Sequence, residues 1–199
     1  MKLKTDSNIA KSFNAVIAGL LIGLGVIINT QTKPPILGAL LFSFGLLTII
    51  HLKLPLYTGK IGYLKDKLVL ILLFNLIGIG ITVAAYYVAN PQFHEMIAAA
   101  AEVKFTKTYL QMLFGGIFCG MLIHFAVKCK VPYLTSMAVI IFILIGAEHC
   151  IADFPYLLTT LSLPHIGKFL MVIVQRGTGL MPGWRTKIPQ AIQWGQKQH

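Results

Sequence analysis

Five stretches of this chain contain no aspartate, glutamate, lysine or arginine, and each is about as long as a membrane-spanning helix. A helix needs about 20 mainly apolar residues to cross roughly 30 Å of hydrocarbon. Hydrophobic residues make up 56% of the 199 residues and charged residues only 12%, whereas soluble domains average about 25% charged residues. The sequence therefore predicts an all-α membrane protein. The charge-free stretches are residues 12–32, 34–52, 68–94, 108–127 and 131–147.

The net charge of +11 is distributed over loops and tails rather than gathered on one face of a soluble domain, so we expect no nucleic-acid partner. In membrane proteins, lysine and arginine collect on the cytoplasmic side. With six crossings and a cytoplasmic N-terminus, twelve of the 17 Lys and Arg residues fall inside and four outside, while Lys53 lies in a break. We therefore expect a multi-pass protein of the cell membrane with cytoplasmic tails at 1–11 and 185–199.

Two apolar stretches are interrupted at matching places in the two halves of the chain. The first break, at 53–60, contains Pro55, which lacks a backbone donor, and Gly59, which we expect to loosen the chain. The second break covers 148–155. Interrupted helices at corresponding positions indicate an inverted repeat with a substrate path near the membrane midplane. The predicted repeats of this single transmembrane domain, residues 1–199, cover about 12–90 and 104–181.

The second break contains three ionisable side chains, Glu148, His149 and Asp153. A charged side chain at the bilayer centre costs at least about 2.5 to 3.5 kcal/mol, so one found there usually faces a cavity or a partner. The alternative is that the helix simply reaches the surface and these are loop residues. The apolar segment FPYLLTTLSLP that follows favours re-entry into the membrane. A histidine there is able to donate a hydrogen bond to an anion or to share a proton with it.

The stretches IFILIGAEHCIADFPYL, LLFSFGLLTIIHLKLPLYTGK and GGIFCGMLIHFAVK resemble the second broken helix, the first broken helix and the fourth helix of the formate/nitrite transporter family. The resemblance covers about Ser12 to Pro155. It implies six transmembrane helices in an aquaporin-like inverted 3+3 repeat, with the second and fifth helices broken. It also implies a homopentamer in which each protomer has its own pore for a small anionic substrate, with no cofactor and no enzymatic activity.

The resemblance also suggests roles for individual residues. His149 matches the central pore histidine, and Thr58 matches a threonine of the first break that bonds near it. Leu46, twelve residues before Thr58, and Phe142, seven before His149, match the two hydrophobic constrictions. Lys104 matches a basic residue of the outer vestibule. On composition alone, residues such as Leu46 and Phe142 are more often core or lipid-facing than part of a constriction, and Lys104 is also explained as an ordinary interfacial lysine.

The second break also differs from the family pattern. Cys150 stands where the family usually has serine, and Asp153 where it usually has asparagine. Two roles are compatible with Glu148: a structural one, in which it orients the broken helix, and a direct one in transport. An ionised Asp153 beside an anion path would hinder conduction, and a protonated one would not. The charge of this side chain is therefore the main difference that we expect from the family.

Two other functions are compatible with the sequence. His51 and His124 fall in apolar stretches and would allow a membrane metal site or a metalloenzyme together with His149, although no ligand spacing such as HExxH supports one. The second alternative is a non-conducting relative that serves only in assembly. The main prediction is a channel or transporter for small monovalent anions such as formate, nitrite or hydrosulfide.

Overall fold

The computed structural model describes residues 2–60, 67–129 and 131–177, and all of the regular secondary structure in these ranges is helical. The first predicted crossing forms one long helix, and the two predicted breaks each separate a longer helix from a short one. A further helix, α5, links the two halves. The elements are α1 (Lys2–Gln31), α2 (Pro35–His51), α3 (Tyr57–Lys60), α4 (Leu68–Ala89), α5 (Phe93–Phe105), α6 (Tyr109–Cys129), α7 (Pro132–Leu144), α8 (Phe154–Thr159) and α9 (Leu163–Gly177).

The packing of the helices brings the two broken helices together. Helix α1 packs on α4 and α2, while α6 packs on α7 and α9. Helix α2 in turn packs against α7, so the long parts of the two broken helices meet at the centre. Both begin with a proline at the first turn, Pro35 and Pro132, where the missing N–H costs no hydrogen bond.

Glycines allow α1 and α4 to approach very closely. A Cβ atom on Gly19 would overlap the backbone oxygen of Asn75, and one on Gly78 would overlap the backbone oxygen of Val16. Glycine at such contacts is how membrane helices bring their backbones together. The small-residue face that the sequence of the first helix presents is therefore used as an interface with α4.

The outer surface of the described residues is rich in large apolar side chains. Val88 is 86% exposed and Val69 70% exposed, which suits a hydrocarbon surrounding rather than water. Within the part of the chain that the structure describes, three helices are long and apolar enough to cross a membrane: Lys11–Gln31, Leu68–Ala89 and Tyr109–Lys128. Three shorter apolar helices accompany them: Pro35–His51, Pro132–Leu144 and Leu163–Gln175.

Two sequence expectations concern the ends of the chain. Helix α1 begins at Lys2, so residues 2–11, expected as a tail, continue the first crossing as helix. The predicted tail 185–199 and the end of repeat two at 181 lie outside the described residues.

Candidate functional site

The two breaks are built in the same way. After α2 the N–H of Leu54 donates to the carbonyl of Ile49 (2.9 Å) and that of Lys53 to Ile50 (3.2 Å). After α7 the corresponding bonds run from Ala147 to Phe142 (3.0 Å) and from Gly146 to Ile143 (3.0 Å). These are the paired bonds of a Schellman motif, which requires a left-handed residue at its turn. Lys53 (φ 54°) and Gly146 (φ 65°) supply it.

The turn of the first break therefore lies earlier than the sequence suggested. Gly59, expected to loosen the chain, lies inside the short helix α3. The reversal is made instead by Lys53, a residue type that rarely adopts positive φ. The expectation for Gly59 was wrong because a glycine in sequence marks a turn only where the backbone requires that freedom.

A direct hydrogen bond joins the two breaks. Oγ1 of Thr58, in α3, lies 3.2 Å from Nε2 of His149, and both residues are buried. The two residues are 91 positions apart in the chain. The two residues that the sequence singled out from separate segments are thus in contact at the centre of the molecule.

The hydrogen bond at the second ring nitrogen of His149 shows which atom is the donor in this contact. The backbone N–H of Ala152 lies 3.2 Å from Nδ1 of His149, and because an N–H only donates, Nδ1 is the acceptor. In a neutral ring the proton is then on Nε2 and is donated to Thr58. The hydroxyl proton of Thr58 is left to donate elsewhere, as an anion would require.

Apolar rings adjoin this pair. The ring centroids of Phe142 and His149 are 5.9 Å apart in a stacked arrangement. Phe142 also meets Phe42 of α2 edge-on at 6.1 Å. Leu46 lies one helical turn after Phe42 and is 1% exposed. Both predicted constriction residues are therefore buried on the facing helices α2 and α7, and Phe142 stacks on the histidine.

A buried amide that the sequence reasoning missed holds the first break in place. Asn75 of α4 is fully buried. Its Nδ2 donates to the carbonyl oxygens of Ala15 (2.7 Å) and Pro55 (3.0 Å), and its Oδ1 accepts from the N–H of Tyr57 (2.8 Å). Asn75 thus ties the break and the start of α3 to helices α1 and α4. An amide in the middle of a charge-free stretch is the signal that would have indicated it.

The second break is held by ion pairs. Glu148 is completely buried, and its Oε2 lies 2.7 Å from Nζ of Lys104. Its Oε1 lies 2.6 Å from Nζ of Lys107. On α6, Gly115 leaves room for this carboxylate, since a Cβ there would lie 3.1 Å from Cγ of Glu148. A buried carboxylate requires such partners, because an unpaired one is strongly destabilising.

Asp153 belongs to the same network. Its Oδ1 lies 3.0 Å from Nζ of Lys104, and its backbone N–H donates to the carbonyl of His149 (2.8 Å). Lys104 therefore bridges the two carboxylates, with a side chain only 16% exposed. Lys104 is therefore not an interfacial lysine whose side chain extends toward water. The sequence reasoning placed Lys104 at an outer vestibule and did not consider Lys107, three residues later, which shares Glu148.

The other residues singled out in the sequence take no part in the ion pairs described above. Cys150 is fully buried directly after His149. His51 is exposed and His124 is half-buried. Within the described ranges no three His, Cys, Asp or Glu side chains come together in a way that could hold a metal ion. His51, His124 and His149 thus do not form the metal site that the alternative function requires.

Comparison with known proteins identifies the family. The model of the formate/nitrite transporter family matches residues 2–178, nearly the whole chain. This protein belongs to the formate/nitrite transporter family. It is therefore a multi-pass membrane protein of a family of channels and transporters, and it is not an enzyme. No curated protein sequence matches the chain at a significant level.

Solved structures of this family share the fold. One, described as a pentameric formate channel with formate bound, has a TM-score of 0.72 at 20% identity, with 90% of this chain and 96% of that chain covered. Another, described as an FNT family ion channel, has a TM-score of 0.74 at 20% identity, with 94% of each chain covered. At this identity the likeness establishes the all-helical membrane fold of the formate/nitrite transporters.

Proposed function

We propose that this formate/nitrite transporter conducts small monovalent anions such as formate, nitrite or hydrosulfide past His149. The observation that carries the proposal is the 3.2 Å contact between Thr58 Oγ1 and His149 Nε2. It brings two hydrogen-bonding groups together at the meeting point of both broken helices. Polar groups at such interruptions are the usual binding groups of membrane transport proteins.

The membrane architecture that we propose has six crossings, with α2–α3 and α7–α8 as the broken second and fifth crossings. The matched Schellman ends of α2 and α7 support an inverted 3+3 repeat of the aquaporin type, with repeats at about 12–90 and 104–181. We place both termini in the cytoplasm and the protein in the cell membrane. Because a similar structure is a pentameric formate channel, we propose a homopentamer.

In this proposal, Leu46 and Phe142 form hydrophobic constrictions beside the polar pair. Their burial on facing helices and the stacking of Phe142 on His149 support that assignment. A narrow apolar passage rejects large hydrated ions because they would lose their water without compensation. Small weak-acid anions lose less, above all if they pass as neutral acids.

Proton sharing by His149 would provide that neutral form. A bound formate that takes the place of the Thr58–His149 bond accepts from the Thr58 hydroxyl and from Nε2–H of the ring. Transfer of a proton from Nε2 to the anion requires a ring protonated on both nitrogens, in which Nδ1 no longer accepts from the N–H of Ala152. Flux that depends on such a transfer should rise as the pH falls. Glu148, Cys150 and Asp153 form the supporting loop around the histidine. Lys104 contributes one positive charge near the entrance, where Glu148 and Asp153 contribute two negative charges beside it.

The test is a flux measurement on purified full-length protein in liposomes. We expect formate, nitrite or hydrosulfide to enter faster than into empty liposomes, and faster at acidic than at neutral pH. The His149→Asn variant should lose this pH dependence. An intact oligomer that passes none of the three anions would favour the non-conducting alternative. An unchanged pH dependence in His149→Asn would exclude proton sharing by this residue.

A further inference from the structure

Two lysines and two carboxylates form a closed cluster beside His149. Each oxygen of Glu148 has its own lysine, with Lys107 at 2.6 Å from Oε1 and Lys104 at 2.7 Å from Oε2. Lys104 also lies 3.0 Å from Oδ1 of Asp153. With all four groups ionised the cluster has no net charge. Lys104 by itself would leave one of the two carboxylates uncompensated.

Lys107 occupies the outer position of this cluster. Its side chain is 32% exposed, while that of Glu148 is fully buried, and it adjoins an open groove along α6 that Leu110 and Phe114 line. Its Nζ also donates to the carbonyl of Gly146 (2.7 Å). Lys107 thus has two separable roles, a hydrogen bond at the end of α7 and a charge opposite two carboxylates.

We propose that Lys107 is the charge-balancing residue for Asp153. Its ammonium holds one oxygen of Glu148, which allows Lys104 to be shared between Glu148 and Asp153. The break around His149 then presents no net negative charge to an approaching anion, even though it contains two carboxylates. The effect on conduction rests on the proposed anion transport, whereas the coupling between Lys107 and Asp153 does not.

The test is a double-mutant cycle with Lys107→Gln, Asp153→Asn and the combined variant, each as full-length protein in liposomes. Lys107→Gln leaves the cluster with one excess negative charge, and formate flux should fall about tenfold, the order expected for one unbalanced charge within about 10 Å at an effective dielectric constant of about 20. Asp153→Asn, with one excess positive charge, should conduct at least as well as the parent. The combined variant is neutral again and should regain flux to within about twofold of the parent.

Two controls separate charge from other effects. Lys107→Arg keeps the charge and should keep most of the flux. Lys33→Gln removes one positive charge from an exposed position and should leave flux unchanged. If Lys107 acted only through its bond to Gly146, Asp153→Asn would not rescue Lys107→Gln. A combined variant as slow as Lys107→Gln therefore overturns the proposal.

Thermal unfolding of the same proteins in detergent tests the coupling between Lys107 and Asp153 independently of transport. We expect Lys107→Gln to lower the melting temperature and the added Asp153→Asn to restore part of it. If the two shifts simply add, the residues are uncoupled and the proposal is wrong. If the parent conducts no anion but the shifts are coupled, the proposed function fails while the charge balance stands.

Discussion

The positions that reverse the chain, Lys53 and Gly146, show what single residues contribute to this fold. Both adopt a left-handed conformation at the same place in the same motif. Glycine adopts it without steric cost, whereas a side chain adds roughly 1 to 2 kcal/mol. The predicted second break began at Glu148, two residues after the turn at Gly146, and nothing in the sequence distinguishes Lys53 from other loop lysines.

Exchanging these residue types should have opposite effects on stability. We expect Lys53→Gly to raise the free energy of unfolding by about 0.5 to 1 kcal/mol, because it removes the strain of a side chain at positive φ. Gly146→Ala should lower it by about 1 to 2 kcal/mol, and its new Cβ would also lie 3.4 Å from Nζ of Lys107. Unfolding in mixed detergent with increasing SDS measures both. If the free energy of unfolding changed in the same direction in both variants, Lys53 and Gly146 would not occupy the same position of a shared motif.

The site residues differ in how clearly the sequence indicates them. Thr58 and His149 were predicted because polar groups in interrupted apolar helices are conspicuous and resemble a known motif. Lys107 was missed because a lysine after a helix looks like an ordinary loop residue. Its ion pair with Glu148 arises only when residues 41 positions apart are brought together by folding.

At the scale of elements, the sequence predicted most helices closely. The charge-free stretches 68–94 and 108–127 correspond to the helices Leu68–Ala89 and Tyr109–Cys129. Long charge-free stretches define such helices because the bilayer sets their length. Helix α1 extends further than expected, since polar residues at a helix end give no hydrophobic signal and only the hydrogen-bonded backbone reveals them.

Two glycines of α4 provide a matched test of helix packing. Gly78→Ala should destabilise the protein by about 1 to 3 kcal/mol, because the added Cβ would overlap the backbone of α1. Gly80→Ala places its Cβ at ordinary van der Waals distance from its nearest neighbour, Cε1 of Phe154, 4.0 Å away. This control should be neutral or slightly stabilising, since alanine favours helix. Thermal unfolding in detergent distinguishes them, and equal losses would contradict the close α1–α4 contact.

At the scale of the whole molecule, the decisive feature is the meeting of the two broken helices. Periodicity and composition predicted that each break exists. They did not predict that α2 packs on α7 or that Thr58 contacts His149, because such pairing depends on the packing of all the helices around them. The pairing of Thr58 with His149 was first suggested by the family resemblance, and the contact between the two side chains now shows it directly.

The most direct test of the account is the formate flux of two Thr58 variants. Thr58→Val keeps the shape of the side chain but cannot bond to His149, while Thr58→Ser keeps the hydroxyl. A buried hydrogen bond of about 1.4 kcal/mol corresponds to a factor of about ten in rate. In liposomes we therefore predict about tenfold slower formate entry for Thr58→Val and near-parent entry for Thr58→Ser. Equal flux in the parent and both variants would contradict an anion path through the Thr58–His149 pair.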